Sequence, residues 1–185
     1  MTRVIAGMTM SLDGFVANDD GAPEGLYPDL DALHGTPYMD DLIAATGAVI
    51  MGRGSFAMAA DPDLLADAYE FQVPIFVLTH RPPARQPKEN GRISFTFVTD
   101  GIERAVREAR AAAGDRHVTV VGGPALISEL LAAGHVDELH VDVMPVFLGS
   151  GKRFFELPAL AGVRLEKLPI VEVGPRTSLR FRVVR

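Results

Sequence analysis

The sequence predicts an α/β protein whose mixed, mostly parallel sheet is flanked by helices and ends in an antiparallel hairpin. Short apolar segments alternate with helical segments over the first two-thirds of the chain, and helices between strands are the crossovers that parallel strands require. The last part differs, because two strand-like segments, Val163 to Val173 and Arg176 to Arg185, are separated only by the turn signal Gly174-Pro175.

The N-terminal third predicts a strand, a turn, a loop and a helix. Arg3 to Met10 is apolar nearly throughout, which is typical of a strand in the middle of a sheet. Asp13-Gly14 is a turn or bulge signal. The stretch from Asn18 to Gly35 is rich in Asp, Gly and Pro and predicts a long mobile loop. Thr36-Pro37 is a favourable helix start, and we expect Gly47 to end that helix.

The middle of the chain predicts three further strands and two helices, with a loop to about Arg92 between the second and third strands. The strands are Ala48 to Met51, Pro74 to Thr79 and a weaker one from Ile93 to Val98. Asp61-Pro62 predicts a helix start between the first two. Asp100 with Glu103 resembles a capping box at the start of an amphipathic helix after the third.

His117 to Gly134 predicts a strand, a glycine turn and a helix in immediate succession. The β-branched residues up to Val121 form the strand, and Gly122 and Gly123 remove side chains where it must turn. Pro124 suits the first helical position. Free N–H groups at such a helix start favour a phosphate. A turn selected for packing alone explains the same residues equally well.

The next strand, Leu139 to Val143, alternates apolar and polar residues. This pattern is typical of a half-buried strand. It offers a flat sheet edge or face that a second copy of the chain could cover.

Composition limits the classes of function. A chain of 185 residues with 48% hydrophobic and 23% charged residues is ordinary for one soluble domain, here residues 1–185. No apolar run is long enough to span a membrane, and no leader precedes the first strand, so a cytoplasmic protein is the expectation. Cysteine is absent, and the five histidines lack metal-ligand spacing, so we expect no metal. The net charge of −6 argues against a nucleic-acid partner.

Three strand ends carry the residues with the clearest chemistry. They are Met51 to Ser55, Leu78 to Arg81 and Val121 to Pro124, and ligands of open α/β sheets bind beyond the carboxyl ends of strands. The two glycine turns could hold the phosphates of a dinucleotide, with Arg53 adding positive charge. The residues after Leu78 would meet the adenosine ribose, and Arg81 could bind a 2′-phosphate. The G-x-G-x-x-G fingerprint is missing, which disfavours a standard Rossmann domain.

These strand ends also resemble a known family. The segments MSLDGFVA, AVIMGR, FVLTHR, VTVVGGPALI and VDELHVDVMPVFLGSGKRFF resemble the reductase domains at the C-terminus of bacterial riboflavin-biosynthesis deaminase–reductases. Those domains have the dihydrofolate-reductase-like fold. The resemblance implies about eight strands, an NADPH site, a small-molecule substrate and a homodimer.

The resemblance also assigns roles to individual residues. It implies that Gly52, Arg53 and Ser55 contact the cofactor phosphates, and that Thr79, His80 and Arg81 contact the adenosine end. The pyrophosphate would meet Gly122, Gly123, Pro124, Ala125 and Leu126, and the nicotinamide would be bordered by Ala6, Gly7, Val16 and Ala17.

The proton donor departs from the family pattern. Dihydrofolate reductases use a carboxylate on the first helix, and an ungapped count back from Gly52 puts Thr36 at that position. Asp40, one turn further along the same helical face, is one candidate acid. Asp13 is the other, although an ordinary turn aspartate would look the same.

The sequence therefore predicts a free-standing NADPH-dependent reductase. With no cysteine and only 185 residues, the chain lacks a fused zinc deaminase. Its expected substrate is a small heterocyclic compound of pyrimidine or pterin type, an imine or a carbonyl compound. The alternative is a nucleotide-binding regulatory or structural module that has kept the cleft without catalysis.

Overall fold

The computed structural model describes residues 2–23, 25–156 and 158–184, and these residues form a nine-stranded mixed sheet with helices on both faces. The strands are β1 (Val4–Ser11), β2 (Phe15–Ala17), β3 (Thr46–Gly52), β4 (Pro74–Leu78), β5 (Ser94–Val98), β6 (His117–Val121), β7 (Glu138–Met144), β8 (Lys152–Arg153), β9 (Arg164–Lys167), β10 (Val171–Val173) and β11 (Arg176–Val184). The helices are α1 (Leu30–Leu33), α2 (Pro37–Ala45), α3 (Arg53–Ala57), α4 (Leu65–Ala68), α5 (Ile102–Ala113) and α6 (Pro124–Ala132), with 3₁₀ turns at Pro62–Leu64 and Pro158–Gly162.

The strand order is β10-β11-β7-β1-β6-β3-β4-β5, and β9 also pairs with β11. The strands from β7 to β5 in this order are parallel, whereas β11 is antiparallel to β7 and pairs antiparallel with β9 and β10. The predicted fold class is therefore confirmed. The first arm of the C-terminal hairpin is divided into β9 and β10. Strands β2 and β8 form a separate small ladder.

The half of the sheet around β3 is apolar on both faces. Ala48 and Ile50 belong to the core shared with α5 and α6, whereas Val49 and Met51 belong to the core on the other face, which includes Phe56 of α3. A strand covered on both faces needs a continuous apolar run. The uninterrupted sequence of β3 meets that need.

The other half of the sheet is apolar on one face and polar on the other. Leu139 and Val141 of β7 join the apolar core. The alternate residues of β7 and of its partner β11 are polar, and residues in register on paired strands share a face. We call these side chains the polar wall: Glu138, His140, Asp142, Arg176, Ser178 and Arg180.

The position of β7 corrects one expectation. This strand lies between β1 and β11, so it offers a partner no sheet edge, and only its apolar face remains available for such a contact.

Three local expectations are wrong for identifiable reasons. The loop predicted to be mobile is anchored, because Leu26 is fully buried and Asp29 forms an ion pair with Arg176. Helix α2 ends at Ala45, and Gly47 instead lies inside β3, where an added Cβ would be 2.5 Å from the carbonyl oxygen of Ala113.

The predicted capping box is also absent, since the N-cap of α5 is Gly101 and Asp100 binds Arg104 at 2.9 Å. Within the described ranges, no helix has the length and hydropathy needed to cross a bilayer.

Candidate cofactor and substrate site

The three predicted strand ends meet at one edge of the sheet. Strands β6, β3 and β4 are neighbours, and Gly52 is in register with Leu78. The backbone N–H of Gly52 donates to the carbonyl oxygen of Gly122 at 3.3 Å, so the two glycine turns touch each other. Gly7 of β1 is in register with Val121. The structure therefore brings the predicted phosphate and nicotinamide residues together.

Gly122 occupies a place that only glycine fits. Its φ of +69° lies in the left-handed region. A Cβ there would lie 2.8 Å from Oγ of Ser55 and 2.9 Å from Cε of Met8. The peptide bond that follows, Gly122–Gly123, is cis. The absence of a side chain at residue 122 is thus a packing requirement.

Gly123 differs from its neighbour because its far side is open. It is the N-cap of α6 with φ −78°, and the nearest atom that a Cβ would meet is Oγ of Ser55 at 4.0 Å. No side chain of the described residues caps this helix. The first N–H groups of α6, on Ala125 and Leu126, lack acceptors within the helix and can bind an anion.

The second glycine turn places a cation and a hydroxyl beside the first. Gly52 is the N-cap of α3, Arg53 is its exposed first residue, and Ser55 reaches the Gly122 turn. A hydroxyl and a guanidinium next to free N–H groups form a suitable environment for phosphate oxygens.

At the end of β4, Thr79 shapes the turn and its neighbours stay exposed. The Thr79 hydroxyl donates to the carbonyl oxygen of Arg81 at 2.9 Å and accepts from the N–H of Arg81 at 3.2 Å. The side chains of His80 and Arg81 are exposed. Thr79 is therefore a positioning residue, whereas His80 and Arg81 are available to a ligand.

The residues expected beside the nicotinamide have side chains that are buried or absent, so a ligand there would meet mainly their backbone. Ala6 and Val16 are part of the apolar core, and Ala17 is buried in β2. Gly151 approaches this strand so closely that a Cβ would lie 2.1 Å from the carbonyl oxygen of Ala17. Gly7 has no side chain and is in register with His140, so it lies on the same face of the sheet as the polar wall.

The two candidate acids differ in their surroundings. Asp13 accepts hydrogen bonds from Ser11 Oγ at 2.5 Å and from the N–H groups of Leu148 (3.2 Å) and Gly149 (2.8 Å). The Ser11 hydrogen bond, aided by these N–H groups, lowers the pKa of Asp13. Asp13 thus anchors a turn as a carboxylate. Asp40 is exposed on α2.

Thr36, which the ungapped count back from Gly52 puts at the position of the family carboxylate, is the N-cap of α2. Its hydroxyl donates to the carbonyl oxygen of Leu33 at 2.7 Å and accepts from the N–H of Met39 at 3.4 Å. These hydrogen bonds hold the start of the helix, and a hydroxyl in this role supplies no acid.

The polar wall, which was not predicted from the sequence, contains a buried ion cluster. The guanidinium of Arg176, only 3% exposed, binds both carboxylate oxygens of Asp29 at 2.7 and 2.8 Å. It also donates to Oδ2 of Asp142 at 3.2 Å, and the Tyr38 hydroxyl donates to the same oxygen at 2.6 Å. The available signal was the charged residues alternating with apolar ones in ELHVDVM and SLRFR.

Burial sets the protonation of His140 in the polar wall and of Tyr38, which contacts that wall from α2. Burial, reinforced by the nearby Asp142, raises the pKa of the Tyr38 hydroxyl, which therefore remains a hydrogen-bond donor. Burial and the charge of Arg180 lower the pKa of His140, which favours its neutral form. Tyr38 is consequently a poor source of protons near neutral pH.

The fold is that of the dihydrofolate-reductase-like class. Dihydrofolate reductase from Enterococcus faecalis, solved with NADP(H) and RAB-propyl, superposes with a TM-score of 0.63 at 18% identity, covering 98% of this chain and 96% of that one. A chain from Shewanella sp. PV-4, whose name assigns it to riboflavin biosynthesis, superposes with a TM-score of 0.76 at 19% identity over the full length of both.

Residues 2–179 match the model of the RibD C-terminal domain, and the chain belongs to that family. A further relative is the uncharacterised protein YwjB of Bacillus subtilis (strain 168), 25% identical over 166 residues, or 89% of each chain. Family and fold together support a reductase.

Proposed function

We propose that this chain is an NADPH-dependent reductase that transfers hydride to a small heterocyclic, imine or carbonyl compound. The observation that carries the proposal is the contact between the two glycine turns at one sheet edge, with Arg53 and Arg81 exposed beside them. The nicotinamide, when bound, supplies the hydride. The chain's own part is to bind the phosphates at the starts of α3 and α6 and to hold the substrate against Gly7.

Arg81 is proposed to select NADPH over NADH through the 2′-phosphate. Arg81→Ala should weaken NADPH binding by about tenfold or more, since a hydrogen bond to a charged group is lost, and should leave NADH binding nearly unchanged. Titration by nucleotide fluorescence measures both constants.

The control for this test is Arg92→Ala, an exposed arginine that precedes β5 at the opposite end of the sheet. Equal losses for NADPH and NADH would refute the role of Arg81. Failure of millimolar NADPH to raise the unfolding temperature would refute the whole proposal, because a ligand at about 100 times its Kd adds about 2.7 kcal/mol.

The substrate is proposed to be other than dihydrofolate. Reduction of dihydrofolate needs a proton on the pterin nitrogen, and such acid catalysis is worth about 10²–10⁴ in rate. Thr36 supplies no acid, and Asp40 is exposed. NADPH oxidation should therefore be weak or absent with dihydrofolate and measurable with a member of a panel of pyrimidines, imines and small carbonyl compounds.

The panel is run with wild-type protein and with Asp40→Asn and Asp13→Asn in parallel. Dihydrofolate turnover at ordinary rates, about 1–10³ per second, would show that a carboxylate does act there. The variant that loses this turnover would identify the carboxylate that acts as the acid. If no compound on the panel is reduced while NADPH still binds, the regulatory alternative gains support.

A further inference from the structure

A histidine lies beside the position proposed for hydride transfer. His140 of β7 is in register with Gly7 of β1, and Gly7 is in register with Val121 of β6. Side chains in register share a face, and neighbouring strands lie about 4.8 Å apart. Among the described residues, the only atom that a Cβ at Gly7 would meet within 4 Å is the carbonyl oxygen of His140, at 3.9 Å. A ring that occupies this open space over Gly7 therefore lies against the His140 side chain.

The imidazole of His140 is oriented by a buried carboxylate. Its Nε2 lies 3.3 Å from Oε2 of Glu138, and because a carboxylate can only accept, Nε2 carries the hydrogen. The other oxygen of Glu138, Oε1, binds the guanidinium of Arg3. Glu138 is thus held by Arg3 on one side and holds the imidazole on the other, as the orienting group of an acid–base pair does.

The second ring nitrogen of His140 remains available. Nδ1 has no hydrogen-bond partner among the described residues, and it is not one of the buried atoms that lack a partner. The side chain is 16% exposed, so a ligand can reach Nδ1. Because Glu138 holds the hydrogen on Nε2, Nδ1 is the nitrogen that can take up a second proton and pass it on.

We infer that His140 is the proton donor of the proposed reaction, with Glu138 as its positioning residue. This inference rests on the proposed function and adds an acid to it. Hydride adds to the carbon of the C=N or C=O bond, and the π electrons of that bond move to the nitrogen or oxygen. Nδ1 of the protonated imidazole gives its proton to that atom, and the imidazole regains a proton from water.

The position of this donor on the sheet distinguishes it from the carboxylate of dihydrofolate reductases. That carboxylate stands on the first helix, where the residue at the counted position, Thr36, supplies no acid, whereas His140 belongs to β7. His140 can therefore protonate an atom that lies against β7, and an atom directed at the start of α2 would find no donor there. Weak reduction of dihydrofolate remains the expected result.

The groups around His140 set the sign of the pH dependence. The charged and titratable groups of the elements packed around it are Glu138 and Asp142 of β7, Arg180 of β11, Arg3 before β1 and Tyr38 of α2. Burial and the charge of Arg180 lower the pKa of His140, and the hydrogen bond and charge of Glu138 oppose this. Because the donor is the protonated form, the rate should rise on acidification and fall as the pH rises through this pKa.

NMR of the wild-type full chain tests the placement without any turnover. The histidine ring resonances are followed against pH in the NADP⁺ complex and in the NADPH complex. The nicotinamide of NADP⁺ carries a positive charge and that of NADPH does not, and a nearby positive charge disfavours an imidazolium. The pKa of His140 should therefore be lower in the NADP⁺ complex than in the NADPH complex.

His117 is the internal control for this comparison. It lies four residues before Val121 on β6, about 13 Å along the strand, and its pKa should be the same in both complexes. An equal pKa of His140 in the two complexes would overturn the inference while leaving the proposed function standing. Failure of either cofactor to bind would instead refute the proposed function.

Kinetics of a panel compound that the wild type reduces test the proton transfer itself. His140→Gln should lower kcat by about 10²-fold or more, the usual contribution of a general acid, with KM nearly unchanged and without the rise in rate on acidification. His117→Gln is the matched control and should keep the wild-type kcat and pH profile. An unaltered pH profile in His140→Gln, or an effect on KM alone, would overturn the inference.

Glu138→Gln tests the positioning role. Without the carboxylate that stabilises the imidazolium, the fall in kcat should occur at lower pH than in the wild type. A carboxylate with a structural role alone would change the yield of folded protein and leave the profile where it is, which would contradict the role of Glu138. If these variants do not fold, or if no panel compound is reduced, the NMR comparison on the wild type decides.

Discussion

Two adjacent glycines, Gly122 and Gly123, have different backbone conformations and different surroundings. Gly122 combines a positive φ with close contacts to Ser55 and Met8, whereas Gly123 has an ordinary φ and open space beside it. One residue therefore serves the fold, and the other leaves room for a ligand.

Gly122→Ala should lower the free energy of unfolding by about 1–3 kcal/mol, because an L-residue is strained at this φ. Gly123→Val should unfold at a denaturant concentration close to that of the wild type but lose NADPH binding, since the side chain fills the space proposed for the pyrophosphate. Urea denaturation and nucleotide titration of both variants check this. Binding retained in Gly123→Val would mean that the glycine pair is an ordinary turn.

His140 should make stability depend on pH. Burial lowers its pKa in the folded chain below the value of about 6.5 expected when unfolded. The unfolded chain then binds more protons below about pH 6.5, so stability is present above that pH and falls on acidification. His140→Gln should flatten this fall, which urea midpoints at several pH values would show.

A residual slope in His140→Gln is expected, since burial also lowers the pKa of His117. An identical pH dependence in wild type and variant would contradict the role given to His140.

At the scale of elements, a single arginine joins the 18–35 loop to β11. Among the described residues, Arg176 is the only side chain that pairs with Asp29, and the ring of Tyr27 from the same loop lies 5.8 Å from the Arg176 guanidinium. The position of the loop is thus set by an ion pair with the far end of the chain.

Arg176→Met should destabilise the protein by about 3–5 kcal/mol, because it leaves buried carboxylates without their counterion. It should also make the loop the first site of limited proteolysis. Arg182→Met is the matched control on the same strand, since Arg182 is exposed and pairs with Glu166 at 3.2 Å. Similar losses in the two variants would contradict the anchoring role.

The elements could be predicted where their signals are local. Apolar runs identified β1, β3, β4 and β6, and strand, glycine and proline in succession identified the start of α6. Gly47 was misread because a glycine after a helix is a common stop, whereas this one is required by the approach of Ala113. That approach depends on the packing of α5 against β3.

The candidate site also has one part that could be predicted from the sequence and one part that could not. The two glycine turns are each contiguous in sequence and could be recognised, and the structure brings them together. In the polar wall, Arg176 pairs with Asp29, which lies 147 positions away in the sequence. No local sequence pattern predicts such a pair. The surroundings of Asp142 depend on the register of β7 with both β1 and β11.

At the scale of the whole molecule, an apolar hollow on the face opposite the polar wall supports a homodimer. The hollow has a volume of about 310 Å³ and is lined by Leu139, Val141, Phe155, Leu165 and other apolar residues. Phe155 and Leu165 are each more than two-fifths exposed. We propose that a second copy of the chain covers this surface, as the family resemblance implies.

Light scattering at micromolar concentration should give twice the chain mass of 19.9 kDa. Leu165→Lys should give the monomer mass, because a charge cannot be buried in an apolar interface without a large cost. Leu64→Lys, at an exposed leucine far along the chain, should remain dimeric. A monomer in the wild type would refute the dimer.

The alternation of polar and apolar residues along β7 and β11 also determines which positions of the polar wall can be substituted. Because successive side chains point to opposite faces, positions 140, 178 and 180 can be varied without touching the apolar residues between them. A library confined to those three positions leaves Asp142 paired with the buried Arg176, and it should yield folded proteins with new ligand preferences while the glycine turns after β3 and β6 stay intact. The residues that can be varied and the residues that form the apolar core thus alternate along the same two strands.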